Sequence, residues 1–246
     1  ALAGGAAFLG PGAGGGAALS NPNGNDGRFL DFGGGGLTFA AVDGITFAAF
    51  VRHDSFQSWG TILSLRDDGG SNWIQLYNLG TTRRARWLIR NGWTTKLLTT
   101  PAYDDGGDAS LAFFPPAGQW AHVAAVATDA GVYTLYRDGA TREGWTTSDD
   151  TVAPNPSALT YTYAALGRYD YYSSGYFDGA LRDVRLYARA LGHNQMAIVH
   201  WIKRATKNSY SSGHTASSIS LDMHFHAATS AILKSPDNPT SSPSIR

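Results

Sequence analysis

Cysteine is absent from this 246-residue chain. No disulfide staples the fold, and no thiolate serves as nucleophile or metal ligand. Glutamate is almost absent: eighteen of the acidic residues are Asp, and Glu143 stands alone. Asp suits turns whereas Glu suits helices, so the imbalance fits short strands joined by loops. The formal net charge is zero and only 15% of residues are charged, which leaves no electrostatic footprint for nucleic acid or an acidic membrane. No apolar run approaches the roughly 20 residues that cross a bilayer. The first 25 residues carry no charge and are mostly Ala and Gly, without the basic start and compact apolar centre of a signal peptide. Asn155 and Asn238 are each followed by Pro, so the chain holds no N-glycosylation acceptor.

What is present reads as β-structure. Hydrophobic residues make up 43% of the chain, ample for one large β domain. Short apolar runs alternate with turn signals from residue 29 to 187. Ile45 to Val51 places Ile45, Phe47, Ala49 and Val51 on one face. Trp73 to Leu79 and Arg86 to Arg90 follow, and Trp120 to Ala127 pairs with Gly131 to Arg137 as a hairpin. The Asp138-Gly139 step suits a type I′ turn, which needs positive φ at both positions. Tyr161 to Leu166 and Tyr176 to Tyr187 complete ten or more strands. The predicted class is all-β, a two-sheet antiparallel β-sandwich of jellyroll type. One short C-terminal helix is predicted over about Asn194 to Ala205, with Met196, Val199 and Ile202 on one face.

Two motifs carry a family resemblance. Phe177-Asp178-Gly179-Ala180-Leu181-Arg182-Asp183-Val184-Arg185-Leu186-Tyr187 reads as a strand, and Ala188 to Leu191 lead into the helix. Together with Trp120-Ala121-His122-Val123-Ala124, this resembles the closing strands of a laminin-G-like jellyroll of the concanavalin A-like lectin/glucanase superfamily. The resemblance spans roughly residues 28 to 200. It implies a jellyroll fold, and it covers binders, adhesins and glycosidases alike. It also implies a Ca²⁺ site, since Asp31, Asp178 and Asp183 match positions where relatives carry acidic residues. The family's usual Asp-Phe-Asp-Gly is Asp-Phe-Gly-Gly here, at Asp31 to Gly34, which removes one potential ligand. Asp67, Asp68 and Asn72 form an alternative oxygen-rich loop at the rim.

Catalysis finds little support in these residues. Glycoside hydrolysis needs two carboxyl groups flanking the scissile bond, and the resembling hydrolases draw theirs from glutamates on one strand. Glu143 sits alone in a Thr-Arg-Glu-Gly turn, and Asp67-Asp68, Asp104-Asp105 and Asp149-Asp150 fall in loops. There is no Gly-x-Ser-x-Gly elbow, and His122 reads as a buried strand histidine. The chain therefore reads as a non-enzyme.

Binding finds more. The segment Arg168-Tyr169-Asp170-Tyr171-Tyr172-Ser173-Ser174-Gly175-Tyr176 combines four Tyr with Arg and Asp, the aromatic platforms and planar polar groups that sugars require. Arg168, Tyr169, Asp170, Tyr171, Tyr172 and Tyr176 are its candidate contacts. Trp73, Trp87 and Trp93 with Arg83, Arg84, Arg86 and Arg90 form a second candidate surface.

Composition changes at Trp201. The last 46 residues hold eleven Ser and only one Gly, with a formal charge of +3, a composition usual for disordered segments. Yet Ile219, Leu221, Met223 and Phe225 alternate with polar residues, as in a half-buried strand seeking a sheet edge, its own or a neighbour's. Asp222, His224 and His226 share the opposite face at a spacing that can chelate a transition metal. The expected organisation is an Ala/Gly-rich arm with a possible first strand at 1–27, a jellyroll at 28–205 and a Ser-rich tail at 206–246. The expected function is a non-catalytic binding or adhesion module, extracellular or on a cell surface, gripping a glycan or a protein through rim loops. The alternative is a structural subunit whose terminal segments pair with neighbouring copies in a fibre or array.

Overall fold

Alternation of apolar and polar residues, broken by turn chemistry, builds the described residues into sixteen strands. The computed structural model describes residues 44–102, 112–142, 144–147, 161–169 and 175–197, together with backbone at 2–3, 7–9, 18–21, 29–31, 37–38 and 160. The strands are β1 (Leu2–Ala3), β2 (Ala7–Leu9), β3 (Ala18–Asn21), β4 (Phe29–Asp31), β5 (Leu37–Thr38), β6 (Gly44–His53), β7 (Thr61–Arg66) and β8 (Asn72–Asn78). There follow β9 (Ala85–Asn91), β10 (Thr94–Thr99), β11 (Trp120–Thr128), β12 (Tyr133–Arg137), β13 (Thr146–Thr147), β14 (Thr160–Tyr161), β15 (Tyr163–Leu166) and β16 (Gly179–Tyr187).

Two seven-stranded sheets face each other. The first runs β1-β4-β15-β7-β8-β9-β10 and the second β13-β12-β11-β6-β16-β3-β2, with β14-β5 as a small separate pair. All strand pairs are antiparallel. This is the jellyroll sandwich expected from the strand pattern. The Ala/Gly-rich arm supplies β1 to the first sheet and β2 and β3 to the second, so these arm strands pair within the chain's own sheets.

The core lies between the sheets. From the second sheet come Ile45, Phe47, Ala49 and Val51 of β6, alternate residues as the sequence pattern requires, with Val123, Ala125, Tyr133, Leu135 and Leu181. From the first come Leu63, Leu65, Ile74, Leu76, Trp87 and Ile89. Each large apolar side chain buried here contributes on the order of 1.5–3 kcal/mol. The hairpin between β11 and β12 ends beside the predicted turn, where Asp138 and Gly139 have φ of 54° and 80° and Arg137 and Ala140 exchange both backbone hydrogen bonds. Gly179 opens β16 at φ 156°, and a Cβ there would stand 2.0 Å from the Arg52 carbonyl oxygen, so only glycine fits.

A second apolar cluster covers part of the outer face of the second sheet. Helix α1, residues 193–197, puts Met196 with Leu191 against Ala48, Ala124, Val126, Tyr136 and Tyr187. Thr46 pins the approach, donating to the Arg189 carbonyl at 2.8 Å and accepting from the Leu191 N–H at 2.9 Å. The Gln195 side chain accepts from the Gly192 N–H at 2.9 Å and so caps the helix start. Val199 and Ile202, the rest of the predicted helical stripe, lie outside the described residues, as do Ile219, Leu221, Met223 and Phe225 of the tail.

Candidate functional site

Cross-strand register arranges the outward side chains of the first sheet into rows. One row runs Tyr163, Arg66, Trp73, Arg90, Thr95. The next runs Ala165, Ser64, Gln75, Leu88, Leu97, and a third joins Tyr77, Arg86 and Thr99. Arginine therefore alternates with aromatic rings across the face. The Arg66 guanidinium lies 4.6 Å from the Tyr163 ring centre and that of Arg90 5.0 Å from Trp73, both within cation–π range. The face is covered in its middle, where Ser64 and Gln75 are buried. It is open towards edge strand β10, where Leu97 is exposed, and at Tyr163.

At the rim stands Trp59, 47% exposed. Its backbone is left-handed, φ 63°, a conformation bulky residues rarely adopt and one that costs on the order of 1–3 kcal/mol. Several bonds hold it there. The Thr61 hydroxyl donates to the Trp59 carbonyl at 3.0 Å, and the Gly60 N–H donates to the Gln57 carbonyl at 3.2 Å. Asn78 Nδ2 donates to the carbonyls of Gln57 and Gly80. The indole packs 5.6 Å from the Tyr77 ring, and Arg86 lies 5.7 Å from its centre. An exposed tryptophan is thereby fixed against an arginine at the end of an aromatic row.

The tyrosine segment adjoins this face. Tyr169 meets Trp73 edge-on at 6.2 Å. Gly175 has φ 82°, and a Cβ there would lie 2.9 Å from the Trp59 carbonyl and 3.2 Å from Tyr169 Cβ. Its own carbonyl accepts the Thr61 N–H at 3.0 Å, and Tyr176 bridges Thr61. Both ends of the segment are thus anchored beside Trp59 and Trp73. Arg168, Tyr169 and Tyr176 are half-buried, while Asp170, Tyr171 and Tyr172 lie outside the described residues.

The Trp and Arg set divides by register. Trp87 is fully buried in the core and Trp93 is 97% exposed at the β9–β10 turn, leaving Trp73 on the outward face. Arg86 and Arg90 belong to the aromatic rows, but Arg83 and Arg84 donate to the carbonyls of Phe114 and Thr100, each at 2.9 Å. Trp59 went unread in the sequence. Its signal is an aromatic inside the turn-rich Phe-Gln-Ser-Trp-Gly segment, where a core residue is not needed.

The acidic candidates have protein partners. Asp178 accepts from the Ser55 hydroxyl, which in turn accepts from Gln57 Nε2 at 2.7 Å. Asp183 has φ 50° and pairs with Arg185 at 3.2 Å. The backbone of Asp31 lies on β4 of the first sheet, whereas Asp178 precedes β16 and Asp183 lies on β16 of the second. Asp67 accepts from the backbone N–H groups of Ser71 and Asn72 and from Asn72 Nδ2, which closes its turn. Among the described residues no group of three or more His, Asp or Glu is placed to hold a metal.

Among the described residues two histidines are buried. His122 is 2% exposed, edge-on to Phe50 at 5.1 Å, which agrees with its reading as a buried strand histidine. His53 ends β6 inside a box of Phe56, Phe114 and Phe177, with ring centres 4.4, 4.4 and 4.9 Å away. Burial alone pulls its pKa down to about 3. Glu143 lies outside the described residues.

The two facing sheets and their rim aromatics define a lectin-like jellyroll. The chain belongs to the concanavalin A-like lectin/glucanases superfamily, whose Laminin_G_3 family model matches residues 14–197. Among solved structures it is similar to domain 4 of AbnA, an extracellular arabinanase of Geobacillus stearothermophilus in complex with arabinotriose. Identity is 17%, the match covers 79% of this chain and 81% of that one, and the TM-score is 0.53. It is also similar to the receptor-binding domain of botulinum neurotoxin D, at 12% identity, covering 82% of this chain and 47% of that one, with a TM-score of 0.54. The serotype G binding domain shows 13% identity over 77% of this chain and 44% of that one, TM-score 0.52. The chain thus spans under half of the toxin binding domains. These likenesses concern the fold. A comparison with curated proteins finds no match. No helix among the described residues is long and apolar enough to cross a membrane.

Proposed function

We propose that this domain is a non-catalytic, extracellular glycan-binding module whose contact surface is the outward face of the first sheet, from Trp59 at the rim to the Leu88–Leu97 strip. The observation that carries this reading is Trp59, exposed yet held in a left-handed backbone beside Tyr77 and Arg86. A fixed, exposed indole offers a sugar an apolar surface, and Arg86 with Thr99 offers donors and an acceptor for hydroxyls. The tyrosine segment at 168–176 borders the same surface and would extend it.

Assembly through the exposed edge is less well supported. On edge strand β10 the side chain of Lys96 turns inward, buried and 5.7 Å from the Tyr133 ring centre. Inward charge on an edge strand opposes edge-to-edge pairing.

The test is a neutral-glycan array, with arabinotriose included as a probe, run with Ca²⁺ and again with a chelator. Trp59→Ala is expected to weaken binding on the order of tenfold, the loss of one stacking contact, and Trp93→Ala to leave it unchanged. Loss of binding with the chelator would add a cation, bound in part by residues such as Asp31, to the site. Equal binding by wild type and Trp59→Ala would sink this surface. Light scattering on the same sample separates a monomer of about 26 kDa from the fibre reading, in which large assemblies appear.

A further inference from the structure

The outer face of the second sheet holds an arginine, Arg182, set against two aromatic rings. Its position follows from a bulge. Arg182 pairs with Phe50 and Arg185 with Ala48, so three steps along β16 match two along β6. In a regular strand, residues three apart face opposite ways. The extra residue, with Asp183 in a left-handed backbone at φ 50°, brings both arginines to the outward face.

Their fates then differ. Arg185 donates to Asp183 at 3.2 Å and to the Tyr187 hydroxyl at 3.4 Å. The Arg182 guanidinium lies 4.8 Å from the Phe50 ring centre and 4.5 Å from that of Trp120. Arg52 lies 5.4 Å from Trp120 and is itself held by Asp54 at 2.8 Å. Among the described residues Arg182 has no hydrogen bond or close ion pair, although the Asp183 carboxylate lies near enough to favour its charge.

We propose that Arg182, held within cation–π range of both Phe50 and Trp120, anchors a second binding site that takes the carboxylate of an acidic sugar. A guanidinium presents its donors in one plane, the fork that a planar carboxylate matches with two parallel bonds. Contact with two rings restricts the side chain in advance, so less rotamer freedom is lost on binding. Half-burial strengthens such a charge-assisted bond relative to one in open water. The neighbouring cations Arg52 and Arg185 are already matched by Asp54 and Asp183. A fork with apolar walls suits a carboxylate carried on a rigid ring. The site lies on the opposite sheet from Trp59 and does not rest on the function proposed for that face.

The experiment titrates the full chain with oligogalacturonate, neutral galacto-oligosaccharide of equal length and oligoglutamate peptide, by calorimetry at low and high salt. Wild type should bind the uronate, more weakly at high salt, and neither of the others comparably. Arg182→Lys keeps the charge but loses the fork, and should weaken uronate binding on the order of tenfold. Arg182→Gln should abolish it. Trp59→Ala should leave it unchanged, whereas neutral-glycan binding at the first sheet should respond the other way to the two substitutions. Circular dichroism confirms that the variants are folded. No uronate binding by wild type, equal binding by Arg182→Lys, or equal binding of the peptide would each overturn the proposal.

Discussion

The two outward faces of this sandwich are built from the same kinds of residue and finished differently. On the first sheet, arginines and aromatics alternate in rows, and the face ends in an exposed tryptophan. On the second, one half lies beneath Leu191 and Met196, and the other half is a stack of Arg52, Trp120, Arg182 and Phe50. Outward residues such as Thr46 and Ala48 are consequently as buried as core residues. What a strand's outer side does is decided by what lies over it, and alternation along the strand does not report that.

The largest expected effect lies under that cover. Met196→Ala removes a fully buried side chain and should cost about 2–5 kcal/mol. Trp93→Ala, at a fully exposed turn on the first sheet, should stay within about 0.5 kcal/mol. Urea unfolding measures both. A small loss for Met196→Ala would mean that α1 is loosely seated and that the two faces are alike after all.

The acid response should be smaller over any one pH step. His53 is neutral in the fold, with its Nε2 lacking a hydrogen-bond partner among the described residues and its pKa drawn to about 3 by burial. Unfolded, it titrates near 6.5. Between those values the unfolded chain binds the extra proton, so stability falls as pH falls, by about 1.4 kcal/mol per pH unit. Above pH 6.5 this residue has no effect. Carboxylates add their own slope, so the informative quantity is the difference between wild type and His53→Phe, which should lose the equivalent of one proton over that window. Parallel stability curves would place His53 in water and dissolve the aromatic box.

The sequence pattern located much of this fold and little of its surface. Ile45, Phe47, Ala49 and Val51 alternate because one face of β6 meets the opposite sheet, and Asp138-Gly139 announces its turn through the left-handed backbone both residues tolerate. Strand β7 was harder to read because five of its six residues, Thr61 to Leu65, are buried. With both faces covered, alternation vanishes. The Trp73, Trp87 and Trp93 set shows where local pattern stops. Whether a tryptophan reaches the core, the outer face or a turn tip depends on register between β8, β9 and β10. Rows such as Tyr163, Arg66, Trp73 and Arg90 join residues nearly a hundred positions apart. The bulge that turns Arg182 outward is likewise a pairing event between β16 and β6.

The smallest effect tests whether Trp59 is held at a cost for its exposed position. Its φ of 63° disfavours any residue with a Cβ by roughly 1–2 kcal/mol, whereas glycine adopts it freely. Trp59→Ala and Trp59→Gly remove the same indole contacts with Tyr77 and Arg86. They differ in the backbone, where glycine also gains freedom in the unfolded chain. These terms oppose each other, so Trp59→Gly should be more stable than Trp59→Ala by about 0.5–1 kcal/mol, measured by paired urea melts. Both should lose glycan binding equally. A glycine variant no more stable than the alanine one would show that the turn relaxes once the indole is gone. The left-handed backbone would then be a consequence of the tryptophan's packing on Tyr77, and the rim would hold its shape only while the ring is in place.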